Sequence, residues 1–113
     1  MKKRAIACCL LAGTMCVVTL AKAQEEPAFA SGKRLFEKHC AVCHPNGGNV
    51  VNPKKTLKKK DRDANGISSA DKLTGYMMNP GPGMPRLVHE DRELTKEQAE
   101  SIAAYIIETF NGQ

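Results

Sequence analysis

Five consecutive residues, Cys40-Ala41-Val42-Cys43-His44, constrain this chain more than any other feature. The spacing C-x-x-C-H is the covalent attachment signature of a c-type haem. Two thiols three positions apart can each add to one vinyl group of the porphyrin, forming two thioether bonds. The next residue places an imidazole nitrogen beneath the iron. A C-x-x-C pair also reads as half of a zinc site or as a thioredoxin-like redox pair. The other cysteines, Cys8, Cys9 and Cys16, lie in an apolar N-terminal stretch, so only His39 and His89 remain as further ligand candidates. No second paired motif exists, and no alternating strand-helix pattern accompanies the thiols. The haem reading uses all three residues of the motif.

The N-terminus speaks to compartment. Lys2, Lys3 and Arg4 precede the uncharged apolar run Ala5 to Ala21, and Ala21-Lys22-Ala23 has the A-x-A pattern of a cleavage site. Residues 1–23 read as a secretory signal peptide, which leaves 24–113 as one monohaem domain. An uncleaved membrane anchor is the rival reading, since the run approaches spanning length. Gly13-Thr14-Met15 before Cys16 is a poor lipobox, which argues against a lipoprotein. Removing four of the 17 basic residues (Lys2, Lys3, Arg4, Lys22) leaves 13 against 12 acidic ones, a formal charge of +1. Nucleic-acid binding loses its support, because it needs a broad basic footprint. Only Cys40 and Cys43 survive cleavage. A structural disulfide is then excluded if both carry haem.

The remaining domain is small, without Trp, and its aromatics are Phe29, Phe36, Tyr76, Tyr105 and Phe110. Small domains bury less of their surface and often need a staple. A buried porphyrin would supply apolar volume, and a fold built around one has a cavity between the residues above and below the iron. Four helices can be read. The first runs from about Pro27 to Cys40, with Phe29, Leu35, Phe36 and His39 broadly on one side. The second runs from Asn52-Pro53 to the stop signal Asn65-Gly66, with Leu57 and Ala64 inward. The third starts at Ser68-Ser69 with a capping box between Ser68 and Asp71, buries Leu73, Tyr76 and Met77, and ends at Asn79-Pro80. The fourth begins with a capping box of Thr95 and Gln98. Its face is Ala99, Ile102, Ala103, Ile106 and Phe110, and Asn111-Gly112 closes it. No run alternates as an exposed strand should, so the fold class is all-α.

The second informative stretch is Asn79-Pro80-Gly81-Pro82-Gly83-Met84-Pro85. Its prolines forbid regular helix and push Met84 toward extended backbone. A stiff loop can hold a thioether against iron with little ordering entropy lost. Sulfur favours ferrous iron and raises the potential. His44 below and Met84 above are therefore the expected axial pair. Met77 and Met78 read as helix residues, one inward and one outward. His89, in a charged stretch, is the weaker distal candidate, and His39 packs on the first helix.

These residues together resemble class I cytochromes c, most closely the cytochrome c6 or c553 type, over nearly all of 24–113. Ser31-Gly32-Lys33-Arg34-Leu35-Phe36 is similar to the family's first helix, with Gly32 and Phe36 where it crosses the last. Tyr105 matches the aromatic on the partner helix. The stretch from Gly48 to Leu57, with Ala64-Asn65-Gly66, is similar to the c6-type loop and second helix. Met84-Pro85 matches the axial methionine. The resemblance implies a small class I cytochrome c fold, about four helices wrapped around one covalently bound haem c. Photosynthetic members carry a glutamine near the haem before the methionine loop. Leu73 to Asn79 contains none, and the Pro80-Gly81-Pro82-Gly83 loop is more similar to that of bacterial respiratory relatives.

The expected function is one-electron carriage between larger redox proteins of a bacterial electron-transport chain, by a monomeric, periplasmic, non-enzymatic protein. The iron carries the chemistry and the chain supplies ligands, orientation and dielectric. The alternative is a haem-based sensor in which Met84 leaves and a gas binds. Lys54, Lys55, Lys58, Lys59 and Arg62 are spaced to form one stripe on the second helix. That stripe is either a solvated face or a docking patch for an acidic redox partner.

Overall fold

The computed structural model describes residues 26–88 and 93–113. The signal peptide expected at 1–23 and the candidate His89 lie outside them. Among the described residues the architecture is helical: α1 (Ala28–His39), α2 (Lys59–Ala64), α3 (Ala70–Met78) and α4 (Lys96–Phe110), with one 3-10 turn at Pro45–Gly47. Val88 and Leu94 form an isolated parallel bridge. The all-α expectation stands.

The scaffold is the crossing of α1 and α4, and Gly32 permits it. A Cβ there would lie 2.0 Å from the Ser101 carbonyl oxygen and 3.0 Å from Tyr105 Cβ. Only a residue without a side chain lets the two backbones approach so closely. Around this point Leu35 and Phe36 pack against Ile102, Tyr105, Ile106 and Phe110. The Phe36 ring lies 5.3 Å from Tyr105 and 5.8 Å from Phe110, centroid to centroid, in tilted geometries that suit the ring quadrupoles. Every residue expected on the inner face of α4 is buried, and Tyr105 joins them. Phe29 lies on the same side of α1 as Phe36, as expected: its ring is 5.4 Å from Tyr105, although it sits in the first turn and is 40% exposed.

Helix starts follow local hydrogen bonding. Thr95 and Gln98 form the expected capping box, satisfying two N–H groups that α4 would leave bare. For α3 the cap is Ser69, whose hydroxyl accepts from Lys72 N–H at 3.3 Å; the capping box expected between Ser68 and Asp71 does not form, because the cap lies one residue later and Lys72 has no acceptor to return the bond. Asp71 then falls in the first turn, where the helix dipole favours an acid. Met77 is buried and Met78 exposed, as expected.

The second helix is much shorter than expected. It starts at Lys59, not near Asn52. The Asn49 side-chain oxygen accepts from the N–H groups of Val51 and Asn52, and that of Asn52 accepts from Lys54. Such Asx turns give the backbone an alternative to helix. The stop is where expected: Gly66 adopts φ +74° and Ile67 N–H returns to the Arg62 carbonyl at 2.8 Å. Lys54, Lys55 and Lys58 therefore precede α2 and share no helical stripe. Ala64 is exposed and Arg62 takes the inward position, only 3% exposed, so Arg62 does not belong to a docking surface.

Candidate haem site

The C-x-x-C-H run is the tight end of α1. Cys40 N–H and Ala41 N–H both reach the Phe36 carbonyl, and His44 N–H returns to the Cys40 carbonyl at 2.9 Å. This coil carries both thiols and the imidazole to one side. The 3-10 turn that follows reverses the chain through left-handed backbone at Asn46 (φ 52°) and Gly47 (φ 77°). Gly47 is required there twice over, since a Cβ would also meet the Phe110 ring at 2.6 Å. The reversal brings the Gly48 carbonyl to 2.8 Å from His44 Nδ1. With Nδ1–H donating to that carbonyl, Nε2 carries the lone pair. Anchoring of this kind orients metal-binding histidines in general.

Another part of the wall comes from the proline loop, through Pro82, Gly83, Met84 and Pro85. Met84 N–H reaches the Gly81 carbonyl at 3.4 Å, and Gly83 turns at φ +88°. Arg86 closes the base of the loop by donating to the Asn79 side-chain oxygen at 2.6 Å. The coil and the loop border a cavity of about 440 Å³, which Cys40, Cys43, His44 and Met84 all line. Its floor is apolar, with Leu57, Ile67, Leu73, Met77 and Ile106. The size and mostly apolar wall suit a large flat ligand with few polar groups. The expected cavity between His44 and Met84 is thus present, and the four expected site residues converge on it. His39 also lines it, its Nδ1 3.1 Å from Glu93 Oε2.

The rival uses of the thiols fit less well. Burial pushes the Cys40 thiol up to about 11, and the neighbouring Cys43 adds to the rise. A reactive redox cysteine needs the opposite shift. Among the described residues no three His, Cys, Asp or Glu side chains converge as a metal cage. One wall residue escaped the sequence reading. Tyr76 lines the cavity with Leu73 and Met77, in keeping with the inner face expected of α3, whereas Arg62 was expected as a surface cation and lines the cavity too. Arg62 could be found only by knowing that Asx turns delay the start of α2.

Comparison with known proteins agrees with this geometry. The family model described as "Cytochrome C oxidase, cbb3-type, subunit III" matches residues 27–106. A cytochrome c6 of Rippkaea orientalis is 42% identical over 78 residues, covering 69% of this chain and 68% of the relative. A cytochrome c6 of Thermosynechococcus vestitus is 36% identical over 108 residues, covering 96% and 93%. The solved structure of OmcF, the outer membrane cytochrome F of Geobacter sulfurreducens, superposes with a TM-score of 0.65 at 44% identity, covering 70% of this chain and 98% of that one. A helical fold built around the α1–α4 crossing, a C-x-x-C-H turn at the rim of an apolar cavity and these relatives lead to one conclusion: the chain belongs to the class I c-type cytochromes, is similar to cytochrome c6, and carries one covalently attached haem c.

Proposed function

We propose that this protein is a non-enzymatic one-electron carrier whose haem is held by Cys40 and Cys43 through thioether bonds and by His44 and Met84 as axial ligands. The observation that carries the reading is the convergence of those four side chains on one apolar cavity, with His44 Nδ1 fixed on the Gly48 carbonyl. Bound there, the group supplies a ferric/ferrous couple that takes and gives one electron. The chain does the rest. His44 is held so that Nε2 faces the cavity. The proline loop, tied by Arg86 and Asn79, holds Met84 sulfur with little reorganisation between oxidation states. Leu57, Leu73, Met77 and Ile106 exclude water, and an apolar surround with sulfur ligation favours the ferrous form. A tied loop speaks against the sensor reading, which needs a readily displaced Met84.

The electron enters and leaves where the cavity wall meets the surface. Val42, 82% exposed, and the exposed Val51 stand at that rim and offer an apolar contact for a redox partner. Lys54, Lys55 and Lys58 are exposed nearby, while Lys59 is paired with Asp63. These cations orient an acidic donor or acceptor before the apolar contact forms. Export completes the reading, with cleavage after Ala23 and a periplasmic site of action. In support, the Thermosynechococcus relative aligns with 96% of this chain, so the similarity runs into the leader.

The test is Met84→Ala in protein matured in a host that attaches haem. The variant keeps covalent haem, loses the low-spin spectrum of the six-coordinate iron, and has a lower midpoint potential. A variant with the native spectrum and potential removes Met84 as ligand. Wild-type ferrous protein that readily takes carbon monoxide replaces the carrier by the sensor.

A further inference from the structure

Three asparagines in this chain are followed by glycine: Asn46-Gly47, Asn65-Gly66 and Asn111-Gly112. An Asn-Gly pair can lose ammonia unaided, because no side chain hinders the glycine nitrogen as it approaches the asparagine amide carbon. The fold treats the three pairs differently. Gly47 is buried, its N–H bonds to the His44 carbonyl at 3.1 Å, and the Phe110 ring crowds it. At Asn65 both reacting groups are tied. The side-chain amide donates to the Asp61 carbonyl at 2.7 Å, and Gly66 N–H donates to the Asp63 carbonyl at 3.1 Å. Asn111 is exposed at the end of α4. A Cβ on Gly112 would meet nothing within 4 Å, and Gly112 N–H has no backbone partner among the described residues.

Asn111 differs in a second way. Its Oδ1 accepts from Arg62 Nη2 at 2.6 Å. The Arg62 side chain is 3% exposed and is fixed by a further bond from Nε–H to the Leu57 carbonyl at 2.8 Å. A guanidinium keeps its charge in proteins. A fixed cation at an amide oxygen stabilises the negative charge that grows there when a nucleophile adds to the amide carbon.

We infer that Asn111 is a self-modification site, at which Arg62 promotes loss of the side-chain amide to Gly112. The Gly112 nitrogen gives its proton to solvent and bonds to Asn111 Cγ, which places the negative charge on Oδ1 against Nη2. The Cγ–Nδ2 bond then breaks, and ammonia leaves with a proton from water. Water opens the resulting cyclic imide at either carbonyl, giving aspartate or isoaspartate. The net change is amide plus water to carboxylate plus ammonium, with no oxidation or reduction. Asn111 has helical backbone (φ −74°, ψ −28°), so ring closure requires the Gly112 nitrogen to swing toward Cγ. An unhindered glycine permits that rotation. The aspartate product sets a carboxylate against the guanidinium, and the tie between α2 and the end of α4 becomes an ion pair.

The experiment holds holoprotein at mildly alkaline pH, digests samples with trypsin and follows the amide-to-acid mass change. Cleavage after Lys38, Lys54, Arg62, Lys72 and Lys96 puts the three asparagines on separate peptides. Asn111 converts first, and Arg62→Gln slows it about tenfold or more while leaving Asn46 and Asn65 unchanged. An Asn111 that reacts no faster than the other two, or equally fast in Arg62→Gln, overturns the inference. If Arg62→Gln yields no holoprotein, wild type in guanidinium chloride decides. Unfolding then slows Asn111 and speeds Asn46 and Asn65; an Asn111 that reacts faster unfolded than native overturns the inference. Asn111→Asp installs the product and raises Tm by about 4 °C or more. That gain is present above about pH 4 and is lost as pH falls further. A variant no more stable than wild type overturns the pairing.

Discussion

Two helical glycines should respond to the same substitution with opposite signs. In Gly32→Ala the new methyl lies 2.0 Å from the Ser101 carbonyl oxygen and 2.6 Å from its carbon, both backbone atoms of α4. Ordinary contact starts at 3.4 Å, so the helices must part by about 1 Å or more. A gap of that size forfeits roughly a quarter to a half of each dispersion contact across it. Those contacts include Leu35 and Phe36 against Ile102 and Tyr105, the centre of the core. Overpacking of this kind costs up to about 3 kcal/mol or more, and the better helix propensity of alanine returns about 1 kcal/mol. The net loss is about 2–3 kcal/mol, a fall in Tm of roughly 10–20 °C for a domain of this size. Gly75 is the control. It is exposed within α3, and a Cβ there meets nothing within 4 Å. Gly75→Ala should gain about 0.5–1 kcal/mol from propensity alone. Guanidinium unfolding of the holoprotein, followed by circular dichroism and haem absorbance together, measures both and tests for one transition. A Gly32→Ala protein as stable as wild type would show that the crossing is not closely packed at this point, and the reasoning would fail.

Three further outcomes are expected. Thr95→Ala removes the hydroxyl half of the capping box on α4 and should cost about 1 kcal/mol, measured by the same unfolding. Asp61 is held below its ordinary pKa chiefly by the Thr56 hydroxyl. Its stabilising contribution is therefore present above about pH 4, the unfolded value, and is lost as pH falls through the lower folded value. The stability gap between wild type and Asp61→Asn should narrow below that pH; a gap that stays constant or widens contradicts the sign. Lys58→Glu with Lys59→Glu should slow electron transfer to an acidic partner and flatten its dependence on ionic strength, while an unchanged rate and salt slope would leave these lysines as solvated surface.

Legibility in this chain follows how local each determinant is. The Cys40-to-His44 turn, the cap at Thr95 and the stop at Gly66 are each set by a few neighbouring residues, and each lies where the pattern put it. The face of α4 was readable because five apolar residues recur at helical spacing and all are buried. What escaped was decided by competition. Asn49 and Asn52 bond their own backbone and deny α2 its first two turns. Periodicity counted from Asn52 then set Ala64 inward and Arg62 outward, whereas the real start at Lys59, with the Leu57 carbonyl behind it, turns Arg62 in.

The same contrast separates the two halves of the domain. Around Gly32 the chain buries its aromatics against one another, and α1, α3 and α4 pack directly as helices. On the other side, the stretch from His44 to Ile67 and the Met84 loop are held by turns, side-chain-to-backbone bonds and single polar ties, with the cavity behind them. Such segments bury too little apolar surface to offset their own ordering entropy. Two covalent bonds at Cys40 and Cys43 would fix the cofactor to the rigid end of α1. On the proposed reading the cofactor would present a large apolar face to Leu57 and Ile67 and a ligand position to Met84. On this account the weakly packed half is ordered by what it binds. The stiffness that low reorganisation requires then comes from the haem as much as from the chain.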